Sequence, residues 1–538
     1  MAGANDDLAS VFWMMVEEYG LVWRLAIAIF LTVVLIFLLK KILAFRTFEL
    51  PSFFCGRPLI FTAAFFPVFA AFFLFVRFGG AFTYGGGVNW ESAGVTSDAF
   101  LNECILDDGQ AMYRVHEMEE RMQTGQIEGV EKERVREFAR RAAGHADLDA
   151  ADLTPYLQRT AKGARIEKPR HIFIILGESW ARWPELPKYE GLHAMDGLKS
   201  LAAAPNGYES AAFAPNGDFT SVALNGIITG LSEMGVRVNY QPRSLRDVYP
   251  TALAPQLQRL GYHVDFWYGG VPTWDGMNRL ALAQGFDHFY GYPDFHAPKQ
   301  TTWGTDDAHL FGALYDHLAG EEPTVHVIMT VSNHPPYTID IASMGFDLEH
   351  EKELTHQMPD VDNPDQLALE VGHIWYMDRV VTEFVRKTEA RYPGSLFIIT
   401  GDHAVRTNPS NHPTMYEHDS VPFVLYGQGV TKDILPKDAI GGCTSILPTL
   451  VELIAPEGFE YYSIVPSMTE NEQTASFNTN IWITDKAVGS TRSDATEARP
   501  DVEAAYDPAT ERAKANEWLP LARTLSWWLA VKGTKLPE

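Results

Sequence analysis

Two short apolar runs, far apart in the chain, end in the same way. Ile172–Leu176 leads into Gly177, Glu178 and Ser179, and Leu396–Thr400 leads into Gly401, Asp402 and His403. An apolar run of this length, closed by glycine, reads as a strand buried on both faces. A carboxylate placed just past such a strand lies where open α/β sheets gather their ligands, outside the carboxyl ends. The repeated pattern therefore constrains both the fold and the place of a site.

Between and beyond these runs, strand patterns alternate with helical ones. Strands are predicted at Ile172–Leu176, Val264–Tyr268, Val325–Thr330, Leu396–Thr400 and Val421–Tyr426. Helices are predicted at Phe219–Thr229, Thr251–Leu260, Gln366–Lys387 and Thr444–Ile454. That alternation specifies an α/β fold with a mainly parallel sheet sandwiched by helices. With 538 residues the chain has room for a catalytic domain and further parts. We divide it into a membrane anchor (1–80), a helical juxtamembrane linker (81–165), a catalytic domain (166–460) and a C-terminal extension (461–538). The extension carries a Trp-rich segment, Leu519–Val531, and is expected to pack on the catalytic domain.

The anchor rests on two apolar runs. Leu21–Leu39 carries a charge only at Arg24, and Leu59–Val76 carries none. Each approaches the ~20 residues that cross a bilayer. Lys40, Lys41, Arg46 and Arg57 lie between them, so the positive-inside rule assigns that loop to the cytoplasm. The remainder is then expected outside the cytoplasmic membrane, in a periplasm or its equivalent. An acidic N-terminal flank, without a small-residue cleavage site after the first run, argues against a cleaved signal peptide.

Charge and cysteine usage exclude other classes. A net charge of -26 is the wrong sign for a nucleic-acid partner. Cys55, Cys104 and Cys443 are widely separated and form neither a zinc ribbon nor a disulfide framework. Unpaired thiols are preferred over a Cys104–Cys443 bridge.

Two carboxylates and an imidazole at strand ends, Glu178, Asp402 and His403, are a donor set for a divalent cation of the zinc or manganese kind. Thr220 and Ser221 stand just before the helical stretch Val222–Thr229. A hydroxyl there is either an N-cap or a nucleophile activated by a metal and by the helix N-terminus. Spacing alone leaves both readings open. His334 lies in a proline-bearing turn after a strand, and His412 and His418 follow the Asp-His pair. Each is a substrate or metal contact, or a structural histidine.

Taken together, the motifs resemble the alkaline phosphatase/sulfatase superfamily, and within it the lipoteichoic acid synthase-like phosphoglycerol transferases of Gram-negative type. The resemblance spans about Phe78 to Ile454. It is carried by IILGES (174–179), APNGDFTSVALNGIITGL (214–231), GFDHFYG (285–291), SNHPPY (332–337), FIITGDH (397–403) and VPFVLYG (421–427). RFGG (77–80) and FLNE (100–103) are similar to the membrane-exit region of such proteins.

The resemblance implies a single divalent cation, manganese first with zinc or magnesium as alternatives, on Glu178, Thr220, Asp402 and His403. It implies Thr220 as nucleophile, with Ser221 as fallback. A covalent glycerophospho-threonine would pass its group to a glycan or lipid acceptor, or to water. The implied donor is a phospholipid such as phosphatidylglycerol, at the inner membrane. His334, Trp274, Arg279 and His412 are the implied substrate contacts. A phosphodiesterase or a phosphoethanolamine-type transferase is the alternative reading.

Two departures qualify this. No CxPxR pattern is present, so formylglycine-dependent sulfate hydrolysis is not expected. Where relatives place a histidine before a glycine, this chain has Tyr268-Gly269-Gly270, and Arg279 is displaced from the expected place after Trp274.

Overall fold

The computed structural model describes residues 16, 21–45, 57–77, 90–106, 108–123, 129–143, 147–318 and 322–537. The chain divides into two compact units, residues 1–89 with 108–119, and residues 90–107 with 120–538.

The first unit contains the helices Leu21–Phe45 and Pro58–Arg77. Two membrane crossings are expected from the sequence. Among the described residues, Leu59–Val76 is the one segment that satisfies both length and apolarity, and none of it is buried in the structure. The cysteine at position 55 lies outside the described residues.

The second unit is built on a seven-stranded sheet. Its strands are β1 (His171–Gly177), β2 (Gly207–Glu209), β3 (His263–Tyr268), β4 (His288–Tyr290), β5 (Thr324–Met329), β6 (Leu396–Gly401) and β7 (Phe423–Gly427). Their order is β2-β7-β6-β1-β5-β3-β4. The run from β6 to β4 is parallel, and β7 enters antiparallel to both β6 and β2. Both central strands, β1 and β6, are buried along their whole length. That is why they read as continuous apolar runs without alternation.

The five anticipated strands are present with shifts of at most two residues at their ends. β2 and β4 are additional: three-residue edge strands that carry too little pattern to read. The anticipated helices appear as α1 (Thr220–Thr229), α2 (Leu253–Arg259), α3 (Pro364–Arg391) and α4 (Ile446–Ile454). α3 starts on an N-cap, Asn363, whose side chain accepts from the Gln366 amide, with Pro364 as the first helical residue. Its Phe384 meets Phe173 of β1 edge-on at 5.4 Å, which seats the helix on the sheet.

A second apolar cluster joins the region before the sheet to the end of the chain. Val135, Phe138, Leu153 and Tyr156 pack with Leu525, Trp527 and Leu529. Between these, Ser476–Phe477, Ile481–Ile483, Ala487–Ser490 and Thr496–Ala498 form an antiparallel four-stranded sheet. Asn480, in its first connection, donates to Asp218 Oδ1 at 2.9 Å and to Asp419 Oδ1 at 3.0 Å. The extension thereby anchors the loop that leads into α1. Cys104 and Cys443 are free thiols, the first exposed and the second buried.

Candidate metal and nucleophile site

Register brings the two motifs together. β1 and β6 are parallel neighbours, and Gly177 pairs with Gly401. The Asp402 amide donates to the Gly177 carbonyl at 3.1 Å, so Glu178 and Asp402 leave the sheet side by side. Neither glycine tolerates a side chain. A Cβ on Gly177 would lie 2.2 Å from the Trp180 ring, and one on Gly401 would lie 2.3 Å from the Trp180 carbonyl oxygen.

Glu178, Asp402 and His403 are all buried, and one ligand atom from each falls within 4.8 Å of the others. His403 Nε2 lies 3.7 Å from Glu178 Oε1 and 3.5 Å from Asp402 Oδ2. Both ring nitrogens of His403, and Asp402 Oδ2, have no hydrogen-bond partner. Buried polar atoms are rarely left so. Here they converge with charge and lone pairs suited to a cation, so the residues present fit one.

Burial pushes the Asp402 carboxyl up to about 6, opposed by the nearby Thr220 hydroxyl and by hydrogen bonds from the Ser179 and His403 amides. Burial pushes His403 down to about 4, with Glu178 opposing. A neutral imidazole and an ionised carboxylate are the states in which such groups act as ligands, and a bound cation favours both.

Thr220 is the first helical residue of α1, and the cap position belongs to Phe219, which makes no side-chain cap bond. The Thr220 hydroxyl instead donates to Glu178 Oε2 at 3.2 Å. The hydroxyl therefore faces the cluster and does not serve as the helix cap. The helix N-terminus behind it contributes partial positive charge. Ser221 is also buried and is the next residue of the helix.

Sequence reading assigns Ser179 no role, yet the structure gives it two. Its amide donates to Asp402 Oδ1 at 2.7 Å, and its hydroxyl donates to Glu178 Oε1 at 2.8 Å. It does so in the left-handed region, at φ 51°, which costs energy for a non-glycine residue and recurs at functional sites. Thr330 Oγ1 accepts from the Glu178 amide at 2.8 Å, and Asn333 Nδ2 donates to the Glu178 carbonyl at 3.0 Å. Such outer contacts fix a ligand's orientation. Arg406 Nη1 lies 2.6 Å from Glu178 Oε1 and 3.2 Å from Ser179 Oγ. Adjacency to Glu178 was the available signal for Ser179. Arg406 had none, because it sits in the loop after His403.

The anticipated substrate contacts separate into two groups. The His334 ring donates from Nδ1 to the Pro335 carbonyl at 2.8 Å and lies under Trp303, with ring centroids 4.1 Å apart. Burial lowers its pKa while Glu178 opposes, so it senses the cluster. Trp274 is half-buried, 6.0 Å from the ring of Tyr268. Burial, and then Glu178, Asp275 and Asp402, raise the Tyr268 phenol, which places it near the same carboxylates. Arg279 is exposed. His412 is exposed and paired with Asp360 at 2.8 Å. Among the described residues, neither Arg279 nor His412 has a hydrogen bond or ion pair to Glu178, Thr220, Asp402 or His403.

Comparison with known proteins agrees with this architecture. The sulfatase family model matches residues 170–455. The fold is similar to the crystal structure of a protein in the alkaline phosphatase superfamily from Vibrio parahaemolyticus. The two are 19% identical, with TM-score 0.55, over 76% of this chain and 98% of that one. It is also similar to the lipoteichoic acid synthase LtaP from Listeria monocytogenes, at 15% identity and TM-score 0.51, over 70% of this chain and 95% of that one. At such identities the likeness establishes the fold. No curated protein matches the sequence.

Proposed function

Because this chain belongs to the sulfatase family, we propose that it is a membrane-anchored, metal-dependent phosphotransferase acting on phospholipid head groups. The donor is a lipid such as phosphatidylglycerol, and the acceptor is a hydroxyl of a glycan or another lipid. The observation that carries this reading is the buried Glu178–Asp402–His403 group, whose unpartnered atoms stand beside the Thr220 hydroxyl. The head group follows from the sequence motifs, since the fold is shared by many chemistries.

Glu178, Asp402, His403 and the Thr220 oxygen would hold a divalent cation, manganese first, which would supply the Lewis acidity that makes the Thr220 hydroxyl more acidic and offsets phosphoryl charge. Thr220 Oγ1 then attacks the lipid phosphorus, and the bond from phosphorus to the diacylglycerol oxygen breaks. The leaving oxygen takes a proton and departs as diacylglycerol. The phosphoglycerol group remains esterified to Thr220. In the second half, the acceptor hydroxyl loses its proton, attacks the same phosphorus and releases Thr220. His334, with Nδ1 committed to a backbone carbonyl, presents Nε2 to handle these protons. The N-terminus of α1 stabilises the growing negative charge.

The apolar segment Leu59–Val76 supports attachment to a membrane. The basic residues preceding it in the sequence favour a catalytic unit on the extracytoplasmic side.

The test uses the purified full chain in detergent with manganese and fluorescent phosphatidylglycerol. The expected result is diacylglycerol release, together with a phosphoglycerol adduct on the peptide holding Thr220. A manganese-loaded chain that releases no diacylglycerol contradicts the reading. Adding a glycan acceptor separates transfer, which consumes it, from hydrolysis, which does not.

A further inference from the structure

Glu178 makes two contacts of opposite meaning. One carboxylate oxygen accepts from the Thr220 hydroxyl at 3.2 Å, and the other meets Arg406 at 2.6 Å. A single carboxylate thus separates the proposed nucleophile from a guanidinium. Arg406 is only half-buried, with 28% of its side chain exposed, whereas the Glu178 side chain is 4% exposed. The arginine is therefore the more solvent-accessible partner of the pair. Its charge also reaches Asp402, His403 and His334.

The charges around Thr220 point to an exchange. Glu178 and Asp402 bring two negative charges and Arg406 brings one positive charge, which leaves a single negative charge. A divalent cation on the carboxylates reverses that to a single positive charge. A phosphodiester, with one negative charge, then makes the site neutral. A phosphomonoester dianion leaves it negative. Close to a cation, the guanidinium and Glu178 also lose much of their attraction, because the carboxylate charge is already met. Guanidinium groups match phosphate oxygens in shape and charge.

We infer that Arg406 is a substrate-binding residue: it neutralises Glu178 in the metal-free protein, leaves that carboxylate when a divalent cation is bound, and then holds a nonbridging oxygen of a phosphodiester at Thr220. This rests on the metal-dependent reading above and adds to it a substrate-binding residue. It also supplies a cation where Arg279 sits exposed and unconnected to the cluster.

The experiment is calorimetric titration of the full chain with manganese alone, and then of the manganese-loaded chain with dimethyl phosphate and with inorganic phosphate. Wild type, Arg406→Ala and Arg406→Lys are compared after their thermal melts are matched. Arg406→Ala is expected to bind manganese about three- to tenfold more tightly, because a competitor for Glu178 is gone, and to bind dimethyl phosphate about tenfold or more weakly. Arg406→Lys is expected to fall between the two, since it keeps the charge and loses the fork. Arg406→Ala is expected to weaken the binding of inorganic phosphate as well, because the lost guanidinium fork holds nonbridging oxygens of either anion. If wild type binds no manganese, the metal-dependent reading falls and this inference with it. If wild type binds manganese and Arg406→Ala binds it more weakly, or binds dimethyl phosphate as wild type does, the inference alone is overturned.

Discussion

The two ends of one mainly parallel sheet hold buried histidines in nearly the same condition and for opposite purposes. At the amino end, His171 of β1 stacks on His326 of β5, with ring centroids 5.7 Å apart. Neither ring has a hydrogen-bond partner on either nitrogen. At the carboxyl end His403 is equally buried and equally unpartnered. Burial pushes both His171 and His403 down to about 4. The neighbours make the difference. His171 and His326 are surrounded by the rings of Phe173, Tyr392 and Trp267. His403 faces two carboxylates, with a hydroxyl on one of them. An unpartnered imidazole among rings is packing. Among carboxylates it is an available ligand. Burial and a shifted pKa, taken alone, do not separate the two.

The contrast can be broken at either end. The largest effect is expected from Thr220→Ala, which should lower turnover of phosphatidylglycerol by about a thousandfold or more. Circular dichroism and the melting temperature should stay near those of wild type. Next comes Asp402→Asn, which keeps an oxygen for the Ser179 and His403 amides and removes the charge. Manganese affinity measured by calorimetry should fall by more than the ~10–100-fold expected of an outer contact. Ser179→Ala removes only the hydroxyl that orients Glu178, and should weaken manganese binding by about tenfold.

The smallest effect on activity is expected at the amino end. His171→Phe should leave turnover within about twofold of wild type, since the residue touches no reacting group. It should change the response to acid. In the folded chain His171 stays neutral down to about pH 4, while in the unfolded chain it takes up a proton near its ordinary value of about 6.5. The unfolded state therefore binds more protons between these values. Stability that is complete above about pH 6.5 is lost as pH falls toward 4. His171→Phe should lose less melting temperature than wild type on going from pH 7.5 to pH 5, as read by differential scanning calorimetry. An equal loss would mean that the two ends differ less than described.

Much of the site end was legible in the sequence because strand and ligand are adjacent there. A buried strand closed by glycine announces both itself and the residue that follows, which is how Glu178 and Asp402 stand out. The parallel register of Gly177 with Gly401 then completes what the two motifs imply separately. The role of Thr220 was not legible, because a cap and a nucleophile share one sequence pattern; the fold gives the cap position to Phe219 and sets the hydroxyl on Glu178, and the nucleophile remains a proposal. Arg406 was not legible at all. Its contact with Glu178 spans 228 positions of sequence and depends on the loop after β6. His412 shows the converse. It stands close to Asp402 in sequence, but its ring is turned onto Asp360 at the surface. The strands β2 and β4 escaped because elements of three residues display no period, and the weak strands expected after about Glu457 did not disclose their pairing into a four-stranded sheet.

The central claim is that one cation belongs among Glu178, Thr220, Asp402 and His403. The most direct measurement is a crystal grown with manganese, with diffraction recorded near the manganese absorption edge. The account predicts a single strong anomalous peak at about 2.0–2.3 Å from oxygens of Glu178, Thr220 and Asp402 and a nitrogen of His403, with Arg406 moved off Glu178. A peak elsewhere, or none in crystals that keep Arg406 on Glu178 at saturating manganese, would contradict it.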